Sequence, residues 1–284
     1  MKTGCLIFSN NEKYTKLHNC AVNSFKKFHE DVIVFSVTRD CNIYSLLKNS
    51  ILKIPPGIQK YIIANYLFSA FDLSKIIILG ADTITCDRLN EFLENDDYDI
   101  LTTLDYPYQL VTSGGQILSS LNEENHVNAD VVCFNNKEAL MEVIKTCEIL
   151  KTEHFEQAAL NYVCNILKKY KSKIVDGDFQ NSNVVYNARA KGNLAAVPNT
   201  SPWFKYTLKF KTKGNKLYTS THENISKSKQ IKVWHYCDAL GHYSRESFEN
   251  KINDWINNGF NQETKDFFTN ECNCGDFFKQ KFTI

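Results

Sequence analysis

The residue best placed for chemistry is Asp82, which follows the apolar run Ile76–Leu79 after only Gly80 and Ala81. That run predicts a buried strand, and the helical pattern Arg88–Leu93 comes shortly after the carboxylate. Side chains at the carboxyl ends of such strands face the ligand site of an α/β sheet, where a carboxylate can hold a divalent cation against a diphosphate. Taken alone, Asp82 is better explained as the start of a turn, so its role depends on the residues around it.

A second candidate ligand is His235, which stands near the end of the apolar run Ile231–Tyr236. The carboxylate of Asp82 and the imidazole of His235 could converge on one cation if both strands end at the same place. Oxygen and nitrogen ligands with open positions suit Mn²⁺, and suit Mg²⁺ less well. Taken alone, His235 is better explained as a hydrogen-bonded core histidine.

Short apolar runs and longer helical patterns alternate along the chain and would position these residues. Strands are predicted at Cys5–Phe8, Val32–Val37, Ile76–Leu79, Ile100–Leu104, Ala129–Phe134, Val184–Tyr186 and Ile231–Tyr236. Helices are predicted at Tyr14–Lys27, Ile58–Phe71, Arg88–Leu93, Lys137–Leu150 and Glu156–Tyr170. This alternation predicts βαβ units, and therefore an α/β fold with a mainly parallel sheet covered by helices on both faces.

The later part of the chain changes character. Between Asp176 and Gln230 the share of Gly, Asn, Ser and Pro rises, which predicts shorter strands and loops built onto the same sheet. From Ser244 onward an apolar stripe at helical spacing predicts a C-terminal helical tail packed on the core (Phe248, Ile252, Trp255 and Ile256). A partner surface or a lid is the alternative for this stripe.

Composition narrows the classes of partner. The 284 residues carry 33 Lys and Arg against 32 Asp and Glu, so no basic field predicts binding to nucleic acid or to an anionic membrane surface. With 23% charged and 13% aromatic residues, the composition excludes a disordered chain. No apolar run reaches the roughly 20 residues of a membrane span, and none near the start has the length of a secretory signal. We therefore expect a cytoplasmic protein whose ten cysteines, which include no CxxC pair, are reduced.

The common nucleotide and hydrolase motifs are absent from the sequence: it has no P-loop, no GxGxxG, no GxSxG elbow and no HExxH. The chain instead resembles the glycogenin-like family of GT-A-fold glycosyltransferases, whose strand–Asp-x-Asp–Thr motif corresponds to Gly80-Ala-Asp-Thr83. Further segments resemble that family's motifs in the same order: Asn10-Asn-Glu-Lys-Tyr14, Lys60, Leu101-Thr-Thr-Leu-Asp105, Val127-Asn-Ala-Asp130, Glu156-Gln-Ala-Ala-Leu-Asn161, Val184-Val-Tyr-Asn187 and Ile231-Lys-Val-Trp-His-Tyr236.

The resemblance implies an enzyme that moves a hexose from a UDP-sugar, with retention, to a glycan, protein or small-molecule acceptor, assisted by Mn²⁺ or Mg²⁺. It implies donor binding by Tyr14, Asn10, Lys60, Gly80, Ala81, Asp82, Asp105 and Asn128, a metal site at Asp82 and His235, and catalytic positions at Gln157, Glu156 and Asp130. Tyr14 would stack on the uracil, although it could equally be the first apolar residue of its helix. Glu156, which replaces an Asp of the family, and Asp130 are candidates for accepting hydrogen bonds from sugar hydroxyls.

The departures from the family pattern are specific. Gly80 replaces the first Asp of Asp-x-Asp, and Asp130 replaces the Gly of the family's Asn-Ala-Gly. The segment from His235 to Tyr243 lacks the lysine expected on the diphosphate, for which His242 or Arg245 is an alternative. These losses favour a second hypothesis, a GT-A-fold protein that binds nucleotide sugars or acts as a scaffold without catalysis. A sugar nucleotidyltransferase is disfavoured, because Ser9–Glu12 is neither Gly-rich nor basic.

We therefore predict one GT-A, Rossmann-like domain over residues 1–243 and a C-terminal helical extension over residues 244–284. The extension would pack on the domain and could mediate oligomerisation. No membrane span and no nucleic-acid partner are expected.

Overall fold

The computed structural model of the chain describes residues 2–11, 15–104, 125–150, 155–175, 184–189, 210–213, 216–219, 230–235, 250, 253–254 and 257–258. The helices are α1 (Thr15–Phe28), α2 (Asn42–Ile51), α3 (Pro56–Ala70), α4 (Asn90–Leu93), α5 (Lys137–Leu150) and α6 (Phe155–Asn161), which continues as the π-helical segment Tyr162–Leu167. The strands are β1 (Thr3–Ser9), β2 (Ile33–Thr38), β3 (Lys75–Gly80), β4 (Thr83–Thr85), β5 (Ile100–Leu104), β6 (Val127–Phe134), β7 (Ser172–Ile174), β8 (Val184–Arg189), β9 (Phe210–Lys213), β10 (Lys216–Thr219) and β11 (Gln230–His235).

The first sheet has six strands in the order β2-β1-β3-β6-β5-β7. The β1–β2, β1–β3 and β5–β7 pairs are parallel, whereas β6 runs antiparallel to both β3 and β5. The expectation of a mixed, mainly parallel sheet is therefore confirmed. Because five of the strands share one direction, their carboxyl ends meet at the same edge, where ligands of α/β sheets bind.

Apolar cores lie on both faces of this sheet, because successive strand residues point to opposite sides. Leu6 and Ile78 belong to the core that contains Tyr61 of α3 and Leu140 of α5. Their neighbours along the strands, including Ile7, Ile77 and Leu79, belong to the core that contains Phe25 of α1 and Phe92 of α4. Helices therefore cover both faces, as the sequence predicts.

The strands of the later part of the chain form a second sheet, so the prediction that they extend the first sheet is wrong. This sheet has the order β4-β11-β10-β9, with β8 parallel to β11. The reason is that the chain turns after Gly80 and restarts as β4, which pairs antiparallel with β11 rather than with the first sheet. The Thr83 hydroxyl closes this turn by donating a hydrogen bond of 2.8 Å to the carbonyl of Gly80.

Several local boundaries also differ from the predictions. The predicted helix Glu156–Tyr170 ends at Leu167, because Lys168 adopts the left-handed conformation with φ 51° and directs the chain toward β7. Helix α2 was not predicted, and its N-cap shows why. The cap is the Cys41 thiol, which accepts a hydrogen bond of 3.3 Å from the backbone N–H of Tyr44, and Cys is not among the usual N-cap residues.

The seven cysteines of the described segments are free thiols, and all except Cys41 are buried. Burial raises the pKa of the Cys133 and Cys164 thiols to about 12, so these groups are protonated and act as small apolar residues. Among the described segments, no helix combines the length and apolarity needed to cross a membrane. The predicted extension 244–284 lies almost wholly outside the described residues. Within it, Asn253 accepts a long hydrogen bond of 3.9 Å from the Cys20 thiol of α1.

Candidate functional site at the carboxyl edge of the first sheet

A cleft of about 180 Å³ opens where β1 and β3 end. Its lining comes from five places in the sequence: the end of β1, the end of β3 with the following turn, the start of α3, and single residues of β6 and α6. The lining residues are Phe8, Ser9, Asn10, Pro56, Gly57, Lys60, Leu79, Gly80, Ala81, Asp82, Asp130 and Glu156. The polar members come from several elements, so only the tertiary fold assembles the site.

Lys60 is the cation among the lining residues, and it is buried with 6% of its surface exposed. Its ammonium donates a hydrogen bond to the Oδ1 atom of Asp130 and forms an ion pair with that carboxylate. Burial by itself lowers the pKa of Lys60, but the carboxylates of Asp130, Glu156 and Asp82 outweigh burial and raise the pKa above its ordinary value. Lys60 is therefore charged at neutral pH.

Gly80 brings two carboxylates of the cleft close together. A Cβ atom at position 80 would stand 2.8 Å from Oδ1 of Asp82 and 3.3 Å from Cγ of Asp130. Both side chains therefore occupy the space next to the Cα of Gly80. Asp82 reaches it from the turn after β3, and Asp130 reaches it from β6, one residue before the Val131 that pairs with Leu79.

Glu156 rests on the first turn of α3. A Cβ atom at Gly57 would overlap the carboxylate of Glu156, so the missing side chain at position 57 makes room for it. The first turn of a helix leaves backbone N–H groups without helical partners and carries a partial positive charge. A carboxylate is therefore favourable there, and Glu156 is held facing the cleft.

Hydrogen bonds hold β6 in register beside α3. The Asn128 side chain is fully buried, and its Oδ1 atom accepts a hydrogen bond of 2.8 Å from the backbone N–H of Asp130. The Tyr61 hydroxyl of α3 donates a hydrogen bond of 3.1 Å to the carbonyl of Ala129. Asn128 is not among the described residues that line the cleft, so its observed contact shapes the strand that presents Asp130.

Asn161 holds α6 to the same strand. Its Oδ1 atom accepts a hydrogen bond from the backbone N–H of Val127, and its Nδ2 atom donates one to the Val127 carbonyl, both at 2.8 Å. The same Nδ2 atom donates to the carbonyl of Gln157 at 2.9 Å. This fully buried amide therefore fixes the first turn of α6, which carries Glu156, relative to β6, which carries Asp130.

Asn10 follows the end of β1 and also lines the cleft. Its Nδ2 atom donates a hydrogen bond of 3.4 Å to Oε1 of Gln59 on α3. The amide nitrogen of Gln59 in turn donates to the carbonyls of Ile51 and Ile54, at 3.1 and 2.6 Å. The buried Gln59 thus links the end of β1 to the segment between α2 and α3.

The structure brings together most of the residues that the sequence predicts for the site. Seven of them line the cleft: Asn10, Lys60, Gly80, Ala81, Asp82, Asp130 and Glu156. Gln157 is partly exposed and, like Asn128, is not among the lining residues. Tyr14 and Asp105 lie outside the described residues, as does the side chain of His235. The backbone of His235 pairs with Thr83, directly after Asp82.

Two residues of the site were not assigned a role from the sequence. Gly57 follows a proline at the start of a helix, and a Pro-Gly pair at that place indicates ordinary helix initiation. Asn161 belongs to one of the motif-like segments, but nothing local indicates that its amide bonds to β6. Both roles depend on contacts with residues far along the chain, so no local pattern could reveal them.

The charges of the cleft fit a divalent cation. Its lining contains three carboxylates, of Asp82, Asp130 and Glu156, against the single ammonium of Lys60. The carboxylates of Asp82 and Asp130 approach the same point beside Gly80, and carboxylate oxygens are ligands that Mn²⁺ and Mg²⁺ accept. Within the described residues no group of three or more His, Cys, Asp or Glu is arranged to hold a metal. The described residues of the cleft therefore offer this pair of carboxylates as candidate ligands.

Comparisons with known proteins give matches among solved structures only, and these matches identify the fold. No protein-family profile matches the sequence, and no curated protein matches it. The galactosyltransferase LgtC, solved with donor and acceptor sugar analogues, gives a TM-score of 0.51 at 14% identity over 92% of this chain and 98% of that chain. The bifunctional glycosyltransferase WbbM gives a TM-score of 0.52 at 14% identity over 91% of this chain and 50% of that chain. At such identity the likeness establishes the fold, and the chain has the GT-A fold of these glycosyltransferases.

Proposed function

We propose that the chain is a glycosyltransferase that moves a hexose from a UDP-sugar to an acceptor hydroxyl, with retention and with the help of Mn²⁺ or Mg²⁺. The observation that carries the proposal is the acidic cleft at the carboxyl edge of the first sheet, in a chain with the GT-A fold. Asp82, in the turn after β3, lines this cleft together with Lys60 and Glu156. The glycogenin-like motifs of the sequence support the donor class and the retaining outcome.

The charge of the cleft supports the requirement for a metal. The lining carries a formal charge of −2, because Lys60 balances one of three carboxylates. A carboxylate of the cleft and a phosphate oxygen about 4 Å apart would repel each other by roughly 4 kcal/mol at the effective dielectric of a protein surface. A diphosphate therefore needs a cation to enter, and Asp82 with Asp130 would hold it, joined by His235 if its imidazole turns toward them. The ion would stabilise the negative charge of the departing diphosphate.

The remaining polar residues would bind and orient the sugar. An ammonium has three donors, so Lys60 can hold Asp130 and still donate to a phosphate or hydroxyl oxygen. Glu156 is placed to accept hydrogen bonds from hydroxyl groups of donor or acceptor, and Asn10, after β1, can contact the nucleotide. These residues would fix the reacting groups in the geometry that the transfer requires.

The test measures UDP binding by calorimetry with and without Mn²⁺, for the wild type and for Asp82→Asn. We expect binding without Mn²⁺ to be at least about 100-fold weaker, because the repulsion described above exceeds the roughly 1.4 kcal/mol of a tenfold change. Asp82→Asn should lose most of the Mn²⁺-dependent affinity. The matched control is Asp97→Asn, an exposed aspartate before β5, at the opposite edge of the sheet.

Transfer itself is then measured with a panel of UDP-sugars, by release of UDP and by NMR of the anomeric configuration of the product. We expect the wild type to form a product that retains the anomeric configuration of the donor. We expect Asp82→Asn to lose turnover. Tight nucleotide binding without turnover of any donor would favour the alternative, a binding or scaffold protein that has lost catalysis. The proposal fails if no nucleoside diphosphate binds and Asp82→Asn changes nothing.

A further inference from the structure

One side of helix α2 is anchored in the core. Tyr44 and Ile51 are buried, and the Tyr44 ring stacks on the ring of Phe8 in β1 with centroids 6.2 Å apart. The segment after the helix is fixed as well, because the side chain of Gln59 donates hydrogen bonds to the carbonyls of Ile51 and Ile54. The other side of α2 is therefore held facing away from the core.

The outward side of α2 combines exposed leucines with exposed lysines. Leu46 is 66% exposed, and Leu52, the C-cap residue, is 56% exposed. Lys48 and Lys53 are also exposed, and the other exposed residues of the helix are Asn and Ser. We call these four residues the α2 surface (Leu46, Lys48, Leu52 and Lys53). A single exposed leucine is ordinary, but two beside two lysines form a specific combination.

No neighbouring acid in the chain offsets the positive charge of the α2 surface. No Asp or Glu occurs between Asp40 and Asp72, although 32 of the 284 residues are acidic. Burial accounts for the lack of acids in much of α3, but most of α2 is exposed. Among the ion pairs of the described residues, none involves Lys48 or Lys53. The near-zero net charge of the whole chain therefore conceals a local excess of positive charge.

We propose that the α2 surface docks onto an anionic lipid bilayer, with its two leucines entering the headgroup region and its two lysines contacting lipid phosphates. Leucine beside lysine suits this boundary, because the apolar side chain leaves water while the ammonium stays among the headgroups. A protein partner is a poorer match. Protein interfaces are depleted of lysine and enriched in aromatic residues and arginine, and the α2 surface contains neither of the enriched types.

The α2 surface continues into the candidate site. Lys53 is followed closely by the exposed pair Pro55 and Pro56, and Pro56 lines the cleft together with Gly57. A bilayer on the α2 surface would therefore lie next to the cleft, which suits an acceptor that is anchored in lipid. This consequence for the acceptor rests on the proposed function, whereas the docking itself does not.

The test measures co-sedimentation of the full chain with vesicles in the absence of any nucleotide. One set is phosphatidylcholine with about one third phosphatidylserine, and the other is phosphatidylcholine alone. We expect binding to the anionic vesicles that weakens as salt is added. Lys48→Gln with Lys53→Gln should weaken it roughly 25-fold, at about fivefold for each lysine near the surface. Leu46→Gln with Leu52→Gln should weaken it at least about tenfold.

The matched control is Lys145→Gln with Ile149→Gln on α5. Ile149 is 76% exposed and Lys145 is exposed, but the same helix carries Glu138, Glu142 and Glu148. We expect this variant to bind the anionic vesicles within about twofold of the wild type. Because all the substituted residues are exposed, the melting temperatures of the three variants should stay within about 2 °C of the wild type.

The inference is overturned if the wild type binds anionic vesicles no better than phosphatidylcholine alone, if the leucine variant binds as tightly as the wild type, or if the α5 control loses as much binding. Sedimentation velocity tests the other occupant. A concentration-dependent dimer that the leucine variant abolishes, without vesicle binding, would assign the α2 surface to a second copy and would also overturn the inference. Failure of the proposed function would look different: the vesicles would bind as expected, but no UDP-sugar would be turned over.

Discussion

At the scale of single residues, glycines position the carboxylates of the cleft by leaving space unfilled. Glu156 occupies the place where a side chain at Gly57 would stand, and Asp82 and Asp130 share the place beside Gly80. In both cases the acidic group gains a close approach to the backbone that any larger residue would prevent. The glycines are therefore as much a part of the site as the carboxylates that they accommodate.

Gly57→Ala tests the role of this glycine, because the free energy of unfolding should fall if Glu156 needs the space and rise if it does not. In an ordinary helix position, alanine in place of glycine stabilises by roughly 0.5–1 kcal/mol. Here the new methyl group would overlap the Glu156 carboxylate, so we expect destabilisation by about 1–3 kcal/mol and a drop in transfer rate. Urea unfolding measures the first effect and UDP release the second.

Ser69→Ala, on an exposed position of the last turn of α3, is the control for Gly57→Ala and should change the unfolding free energy by less than about 0.5 kcal/mol. A Gly57→Ala variant that is more stable than the wild type would show that Glu156 does not depend on the space at position 57.

At the scale of elements, the cleft depends on how α6 is fixed to β6. Asn161 makes this connection with hydrogen bonds to both backbone groups of Val127 and to the carbonyl of Gln157. Backbone groups of a strand next to a helix must find partners, because burying them unsatisfied is costly. A single amide therefore sets the distance between the strand that carries Asp130 and the helix turn that carries Glu156.

Asn161→Leu should separate this role from simple burial. The substitution replaces the amide with an apolar side chain of the same branching and leaves the N–H and C=O groups of Val127 without their side-chain partner, at a cost of roughly 2–4 kcal/mol. Asn161 is a positioning residue, so we expect kcat to fall more than the KM for the donor rises. Stopped-assay kinetics and urea unfolding measure these effects.

Asn165→Ala is the matched control for Asn161→Leu. It removes a neighbouring amide that donates to the Asn125 carbonyl and to Asn161 itself, without any bond to Val127. It should cost less stability and leave the kinetic constants nearly unchanged. Equal effects of the two substitutions would contradict the special role of Asn161.

At the scale of the whole molecule, two buried histidines make the stability depend on pH. Burial lowers the pKa of His18 and the pKa of His29 to about 4, from an ordinary value of 6.5. His29 is held in its neutral form: Nδ1 lies 3.0 Å from the Phe25 carbonyl, to which it donates, and Nε2 accepts from the N–H of Leu89 at 3.0 Å. Protonation of Nε2 would remove that acceptor.

The sign of the pH effect follows from these depressed pKa values. Below about pH 6.5 the unfolded chain takes up protons at both histidines while the folded chain does not, so stability falls as the pH falls. The stabilisation is complete above about pH 6.5 and is lost by about pH 4, at roughly 3 kcal/mol for each histidine. Urea unfolding between about pH 7.5 and pH 4.5 measures the slope.

His29→Gln can keep both hydrogen bonds without a titratable ring, so it should reduce this slope to roughly half, the part that His18 contributes, although it lowers stability at neutral pH. Asp31→Asn is the control. The Arg88 hydrogen bond lowers the pKa of Asp31 to about 2, which lies below the titration window of the histidines. A wild-type slope in His29→Gln would show that other groups cause the acid sensitivity.

Much of the fold was predictable because it depends on local pattern. The strand Ile100–Leu104 and the helix Lys137–Leu150 have the predicted bounds, since runs of buried apolar residues and helical spacing are properties of neighbouring residues. Strand β4 and the sheet to which β11 belongs were not predicted. Pairing between Thr83 and His235 is a matter of long-range register, to which no local pattern refers.

Some features of the candidate site likewise follow from the sequence, whereas others depend on the tertiary structure. The sequence by itself determined that Asp82 follows a buried strand, that Lys60 precedes it by one helix, and that a net charge of +1 gives the chain no basic field to attract a diphosphate. Only the tertiary structure decided that Asp130 stands over Gly80 and that Glu156 rests on Gly57. The physical reason is that a residue's type and local conformation follow from its neighbours in the chain, whereas the volume that two side chains compete for exists only once distant strands and helices have packed.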